Sequence, residues 1–187
     1  MTKVMVIYQS KYGTTLKYAK WIAEELSCDL IERKKVRVNQ LEAYDTIIYG
    51  GGLYAGGVSG IDLLTKNFNK LSDKNIILFT CGLASTEDED NVKHIREGLK
   101  KVLTEEMEKN IKVFHLRGGI DYTKLGILHK AMMAMLHKMM LKKDYNSLRA
   151  EDKEMLDTYG GIVDFTNKAT IEPIIKYVKS LQDKRSY

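Results

Sequence analysis

The sequence predicts an α/β fold in which helices cover both faces of a parallel sheet. Three observations favour this class: short strands made almost wholly of apolar residues, a helical segment after most of them, and glycine-bearing turns where strands end. A strand without a polar side is buried on both faces, which requires helices on each side of the sheet. Connections between such strands are right-handed crossovers.

Five strands are expected to alternate with helices. The strands are predicted at about Lys3–Tyr8, Asp29–Arg33, Asp45–Tyr49, Asn75–Thr80 and Lys112–Leu116. Helices are predicted at about Thr14–Ser27, Ile61–Leu71, Glu87–Met107 and Asn167–Leu181. The first and last of these helices carry apolar residues at helical spacing.

Length and composition predict one domain over residues 1–187. A chain of 187 residues with 44% hydrophobic residues, 1 proline and 14 glycines can bury a full core and is neither linker-rich nor disordered. Because a strand is predicted to start by Lys3 or Val4, no signal peptide is expected, and no apolar run is long enough to span a bilayer. The two cysteines lack metal spacing and indicate a reducing compartment, so a cytoplasmic location is expected.

The net charge of the chain indicates which kinds of binding partner to expect. A net charge of +5 and a pI near 9.0 favour anionic partners such as phosphates, acidic lipids or carboxylate-bearing substrates. No nucleic-acid binding is expected, because the chain lacks an arginine-rich tract, zinc spacing and an aromatic-basic stripe.

The most informative segment is the turn after the first strand, which runs Gln9-Ser10-Lys11-Tyr12-Gly13-Thr14-Thr15 into a helix. A helix begins with unpaired backbone N–H groups and the positive end of its dipole, so hydroxyl residues and a glycine there can enclose a phosphate. The turn is neither a P-loop nor the three-glycine dinucleotide fingerprint. The alternative is an ordinary capped helix, with Ser10 or Thr14 satisfying the first turn.

Two more segments follow strands three and four at the same edge of the sheet. In Gly50–Gly57, five glycines surround Leu53 and Tyr54; glycines permit positive φ and close approach to a ligand, and Tyr54 offers a flat face to a ring. Thr80–Thr86 supplies small residues before an acidic helix start. The alternatives are an exposed loop aromatic for Tyr54 and a plain small core residue for Cys81.

The Ser-x-x-Gly-x-Thr pattern and the order of the three segments resemble the flavodoxins over nearly the whole chain. The resemblance implies a flavodoxin-like, doubly wound five-stranded sheet of order 2-1-3-4-5, with FMN bound at the carboxyl ends of the strands. That order places Cys28 and Cys81 too far apart for a disulfide, so both are expected to be free. The implied FMN contacts are Ser10, Lys11, Tyr12, Gly13, Thr14, Thr15, Gly52, Leu53, Tyr54, Ala55, Gly56, Cys81, Gly82 and Leu83.

The chain departs from ordinary carrier flavodoxins, which are strongly acidic, by being basic and by a helical insertion after strand five at about 120–145. From Lys124 to Lys143 it has five lysines, two histidines and no acid. Such a segment suits an acidic membrane surface or an anionic amphiphile; the alternative is a core-packing helix with outward lysines. An arc about 100° wide holds six apolar residues, Leu125, Leu128, Met132, Met135, Leu136 and Met139.

A basic flavodoxin-like chain with this insertion resembles the menaquinone-dependent protoporphyrinogen oxidase type. The resemblance implies an FMN-dependent oxidoreductase that oxidises a porphyrinogen, uses a quinone as acceptor and touches the inner membrane face through 124–143. Two alternatives remain open: a soluble electron carrier serving a reductase, and a non-catalytic module that docks on a partner or membrane. No acid, base or metal ligand is assigned, since His129 and His137 lack metal spacing. Residues 144–164 are expected to connect the insertion to the last helix, with a turn at Gly160-Gly161.

Overall fold

A computed structural model of the chain describes residues 3–54 and 57–183. Within them, the strands are β1 (Val4–Gln9), β2 (Asp29–Glu32), β3 (Thr46–Tyr54), β4 (Gly57–Val58), β5 (Asn75–Gly82), β6 (Ile111–Arg117), β7 (Gly119–Asp121) and β8 (Ile162–Asp164). Five of these form a parallel sheet in the order β2-β1-β3-β5-β6, and β4 pairs antiparallel with the end of β3. The α/β class and the doubly wound order are therefore confirmed.

Eight α-helices lie in the described residues, and all but the sixth and seventh pack on the two faces of this sheet. They are α1 (Thr14–Leu26), α2 (Asp62–Thr65), α3 (Phe68–Leu71), α4 (Glu89–Lys100), α5 (Glu105–Asn110), α6 (Ile127–Met140), α7 (Ala150–Asp157) and α8 (Glu172–Asp183). Strand residues alternate between two apolar cores, so that Ile7 and Val6 point to opposite faces. One core contains α1 and α8, and the other contains α2 to α5.

Two predicted helices are each broken in two. The helix expected at 61–71 is divided into α2 and α3, because the Asn67 side-chain amide donates to the Leu63 carbonyl and ends the first turn. The helix expected at 87–107 stops at Lys100, and Thr104 begins a new helix by accepting the Met107 N–H on its hydroxyl. The last predicted helix begins with a 3₁₀ turn at Lys168–Ile171 before α8.

The glycines after strand three lie in the strand and not in a loop, which corrects the prediction. β3 continues through Tyr54, and these glycines are not at positive φ. A Cβ on Gly50 would come within 2.1 Å of the Phe79 ring, and one on Gly51 within 2.3 Å of the Val58 side chain. Glycine is therefore required there because large neighbours occupy the space of a side chain, and not for backbone freedom.

The insertion after β6 is held at its two ends by an antiparallel pair, since β7 pairs with β8. The turn predicted at Gly160-Gly161 is confirmed, with Gly160 at φ +85°. α6 lies between the two strands in sequence, and none of its residues is buried. The core-packing interpretation of this helix is therefore wrong, and Leu125, assigned to its apolar arc, is a buried residue that precedes it.

Both cysteines are free thiols, as expected from the strand order. Cys28 is partly buried beyond α1, and Cys81 is buried in β5. Among the described residues, no helix combines the length and the apolar character needed to cross a bilayer.

Candidate functional site

The turn between β1 and α1 leaves the helix start open to an anion. Gly13 adopts φ +98°, and its N–H donates to the Ser10 hydroxyl over 3.0 Å, which folds the turn on itself. Within the described chain, no side chain caps α1 and no acid stands in its first turn. The capped-helix alternative is therefore wrong: Ser10 satisfies Gly13 and not the first helical turn. An anion would meet backbone donors and hydroxyls there, with no carboxylate in that turn to repel it.

The ends of β3 and β5 lie side by side next to this turn. Gly52 is paired with Cys81 in the sheet, and a Cβ on Gly82 would come within 2.8 Å of the Leu53 side chain. Gly118, just after β6, donates its N–H to the Gly82 carbonyl, so β6 reaches the same edge. The topology thus brings the three predicted segments together at the carboxyl edge of the sheet.

A cavity of about 180 Å³ opens at this edge. Seven of the predicted site residues line it: Tyr12, Thr14, Leu53, Tyr54, Cys81, Gly82 and Leu83. Ser10 and Lys11 line a second depression, beside Arg33 and Asp62. Gly13, Thr15 and Gly52 line neither, although Thr15 is buried at the base of the turn. Ala55 and Gly56 lie outside the described residues.

The insertion completes the cavity with residues that were not predicted. They are Gly119, Ile120, Leu125, His129, Met132 and Met133. One signal could have indicated them: strand five ends at the same edge as the other strands, so the segment that follows it starts beside the site. The direction of α6 could not be predicted from the sequence, because it depends on the pairing of β7 with β8.

An aromatic cluster joins the insertion to the turn. His129 Nδ1 and the Tyr12 hydroxyl are hydrogen-bonded at 2.6 Å, and the His129 ring stacks on Tyr54 with 5.5 Å between centroids and 18° between planes. Tyr12 meets Tyr54 edge to face at 6.0 Å. These three rings come from three separate segments and form one wall of the cavity, so α6 is placed by direct contact with both predicted loops.

Burial keeps two potential nucleophiles of the cavity protonated. It raises the pKa of the Tyr54 hydroxyl to about 12, against a smaller opposite effect of a hydrogen bond from the Lys11 backbone N–H. Burial also raises the pKa of the Cys81 thiol, against smaller effects of the Thr14 and Thr15 hydroxyls. A thiol of this kind is a poor nucleophile, so the cavity suits binding better than covalent catalysis through Cys81.

These residues fit flavin mononucleotide. Hydroxyls and backbone N–H groups at an uncapped helix start suit a phosphate monoester. A cavity walled by tyrosine, leucine and methionine suits the face of a flat aromatic ring. The cavity is smaller than the roughly 300–1,000 Å³ of typical ligand pockets, so it suits a ring and leaves the phosphate to the turn outside it. Among the described residues, no group of histidine, cysteine and acidic side chains could hold a metal ion.

Comparison with known proteins gives a family match. A family model described as a flavodoxin domain matches residues 5–147. An uncharacterized protein from Methanocaldococcus jannaschii is 34% identical over 82 residues, which are 43% of this chain and 55% of that protein. The chain thus spans about half the length of the curated relative that it matches.

Solved structures similar to this chain include two flavodoxins. The structure of oxidised flavodoxin 2 from Bacillus cereus is 22% identical, covers 62% of this chain and 86% of its own, and has a TM-score of 0.41. A flavodoxin, WrbA-like protein from Agrobacterium tumefaciens is 24% identical, covers 52% of this chain and 71% of its own, and has a TM-score of 0.39.

Proposed function

Because the chain belongs to the flavodoxin domain family, we propose that it is a flavoprotein that binds one FMN and transfers electrons through the flavin ring. One observation carries the proposal: the turn that suits a phosphate and the cavity that suits a ring are continuous. Tyr12 and Thr14 belong to both, since they lie in the turn and line the cavity. A ligand with a phosphate at one end and a flat ring at the other matches this arrangement.

The proposed contacts divide by chemistry. The hydroxyls of Ser10, Thr14 and Thr15 and the first N–H groups of α1 would hold the phosphate. Leu53 and Tyr54 would flank the ring on one side, and 81–83 would approach it through backbone groups on the other. When bound, FMN supplies one- and two-electron redox chemistry that side chains alone lack.

The chain's own residues would position the substrate and exclude water. Leu53, Leu125 and Met133 give the cavity apolar walls, and the low local dielectric strengthens each polar contact made inside it. His129 is the one residue with a titratable side chain that the insertion adds to the cavity lining. Its Nδ1 is hydrogen-bonded to the Tyr12 hydroxyl, which leaves Nε2 as the ring nitrogen that can hydrogen-bond a substrate.

The insertion favours a small-molecule substrate over simple electron carriage. A protein carrier needs an exposed ring edge that a partner can approach, whereas His129, Met132 and Met133 bring α6 against the ring cavity. We therefore favour an FMN-dependent oxidoreductase that acts on a small molecule and not on a protein partner. A porphyrinogen as donor and a quinone as acceptor are the finer form of this proposal, supported by the basic, methionine-rich character of 124–143.

The second candidate is a flavodoxin-type electron carrier that serves a reductase, which the family membership favours. To separate the two, the FMN-loaded protein is reduced chemically and mixed anaerobically with a soluble naphthoquinone or with cytochrome c. The oxidoreductase proposal predicts faster reoxidation by the quinone. Fast electron transfer to cytochrome c with none to the quinone would favour the carrier.

Binding itself is tested first, by titrating apoprotein with FMN and with riboflavin while following flavin fluorescence and absorption. We expect one FMN per chain at micromolar concentration or below, and weaker binding of riboflavin because it lacks the phosphate. Equal binding of both flavins would contradict the proposed role of the turn. No change with either would overturn the proposal and favour the non-catalytic docking module.

A further inference from the structure

The outer side of α6 carries an apolar stripe that no other part of the described chain covers. Leu128 is 70% exposed, Met135 63% and Met139 51%, and Met132 adjoins them at 39%. At 100° per residue these four side chains fall within an arc of about 60°. The side of α6 that packs on the protein is a different one. It carries the half-buried residues of the helix, which are His129, Met133, Leu136, His137 and Met140.

Positive charge adjoins this stripe. Lys138 lies on the helix about 60° from Met135, and Lys142 and Lys143 follow the last turn. All three are exposed, and no ion pair joins them to a carboxylate among the side chains that the structure describes. The next acid along the chain, Asp144, accepts the Asn146 N–H in its own turn. An apolar stripe beside lysines, without acids, is the pattern of a helix that lies in the headgroup region of a bilayer.

We propose that α6 docks the protein on an anionic lipid bilayer, with the stripe Leu128–Met132–Met135–Met139 inserted at the interface and Lys138, Lys142 and Lys143 on the phosphates. The helix has 14 residues and is about 21 Å long, too short to span a bilayer, so it lies in the plane of the surface. We take the bilayer as the occupant because the exposed lysines beside the stripe complement the phosphates of anionic lipids.

Docking in this orientation has a consequence for the cavity. Met132 belongs to the stripe and also lines the cavity, so the apolar surface is continuous from the bilayer side to the proposed flavin site. A molecule dissolved in the lipid could then reach the cavity along α6 without crossing water. The docking itself does not depend on flavin binding, so the two proposals can fail separately.

The test is co-sedimentation of the full chain, with and without added FMN, with vesicles of phosphatidylcholine alone or with roughly a third phosphatidylglycerol. We expect binding to the anionic vesicles, weaker binding at high salt, and little binding to the neutral ones. The double substitutions Met135→Ser with Met139→Ser, and Lys138→Glu with Lys142→Glu, should each lower the partition coefficient by about tenfold or more.

Matched controls come from the exposed end of α4 and the connection between α4 and α5. Val102→Ser removes a comparably exposed apolar side chain, and Lys100→Glu with Lys101→Glu makes the same change of charge. Neither should alter vesicle binding, and circular dichroism should show that all variants fold. The proposal is overturned if the wild-type chain does not bind anionic vesicles, or if the control variants lose as much vesicle binding as the α6 variants. It is also overturned if the chain is a dimer in solution and the stripe substitutions dissociate that dimer without changing vesicle binding.

Discussion

The Tyr12 hydroxyl and His129 Nδ1 lie 2.6 Å apart, although 117 residues separate them in the chain. This hydrogen bond joins the turn that would bind phosphate to the helix that would cover the ring. The insertion therefore forms part of the wall of the candidate site, and the turn and α6 are in direct contact.

Removing that bond should loosen α6. Tyr12→Phe keeps the ring and its edge-to-face contact with Tyr54 but deletes the hydroxyl, and a hydrogen bond of this kind contributes about 0.5–1.5 kcal/mol. We expect amide hydrogen exchange in α6 to become about fivefold faster. Tyr145→Phe, on an exposed ring, is the control and should leave the exchange unchanged. Unaltered exchange in Tyr12→Phe would mean that the stacking of His129 on Tyr54 holds the helix.

Gly13→Ala tests the strain in the phosphate turn. A φ of +98° is poorly tolerated by any residue with a Cβ, so the substitution should lower the free energy of unfolding by about 1–2 kcal/mol and weaken FMN more than riboflavin. Gly126→Ala is the matched control, because Gly126 has φ −66° and nothing within 4 Å of the added carbon. Urea unfolding and flavin titration measure both effects. Equal losses of stability and of FMN affinity in the two variants would show that the positive φ of Gly13 is not the cause of either loss.

Gly50→Ala tests the close packing of β3 against β5. The added methyl carbon would lie 2.1 Å from the Phe79 ring, so either the ring or the strand must shift. We expect a loss of about 1–3 kcal/mol in the free energy of unfolding by urea. Gly57→Ala has its nearest neighbour at 3.7 Å and should change stability little. If Gly50→Ala is as stable as the wild type, this part of the sheet is less tightly packed than described.

Acid should destabilise the protein through His115. Its Nδ1 is hydrogen-bonded to the Thr80 hydroxyl at 2.8 Å and its Nε2 is buried without a partner among the described residues. Burial, with a smaller effect of Arg96, lowers the pKa of His115 from 6.5 to about 4. Between these values the unfolded chain binds more protons than the folded one, so stability rises with pH across this window and falls as pH drops through it.

The measurement for this pH effect is the urea midpoint of the wild type and of His115→Asn from pH 7 to pH 4. After allowance for solvent screening, we expect the wild type to lose about 1–2 kcal/mol more than the variant. Hydrogen bonds from Thr123 and Lys124 lower the pKa of Asp121 to about 2. Burial acts to raise the pKa of Asp164, but hydrogen bonds from Lys17 and Thr166 together lower it to about 2, so both carboxyls act in a separate window below pH 4. If the urea midpoints of the wild type and of His115→Asn change with pH in parallel, His115 is not the cause of the loss of stability in acid.

The sheet could be predicted well from sequence because its signals are local. The apolar runs at Val4–Gln9 and Asn75–Gly82 leave no polar face, and this requires helices on both sides. Helix breaks were missed because they involve single side-chain hydrogen bonds that composition does not reveal, such as that from Asn67 to the Leu63 carbonyl at the end of α2 and that from the Met107 N–H to Thr104 at the start of α5. The role of Gly50 was also misjudged, since the neighbour that requires a glycine there, Phe79, lies on another strand.

The sequence by itself determined the α/β class and the hydroxyl-rich turn at Ser10–Thr15. It also determined the three segments at one edge of the sheet and the basic, methionine-rich insertion, because composition and periodicity are properties of neighbouring residues. Only the tertiary structure decided that His129 contacts Tyr12 and that α6 turns Met135 to solvent. Contacts between distant segments depend on strand pairing and on the packing of whole elements, which no local pattern in the chain contains.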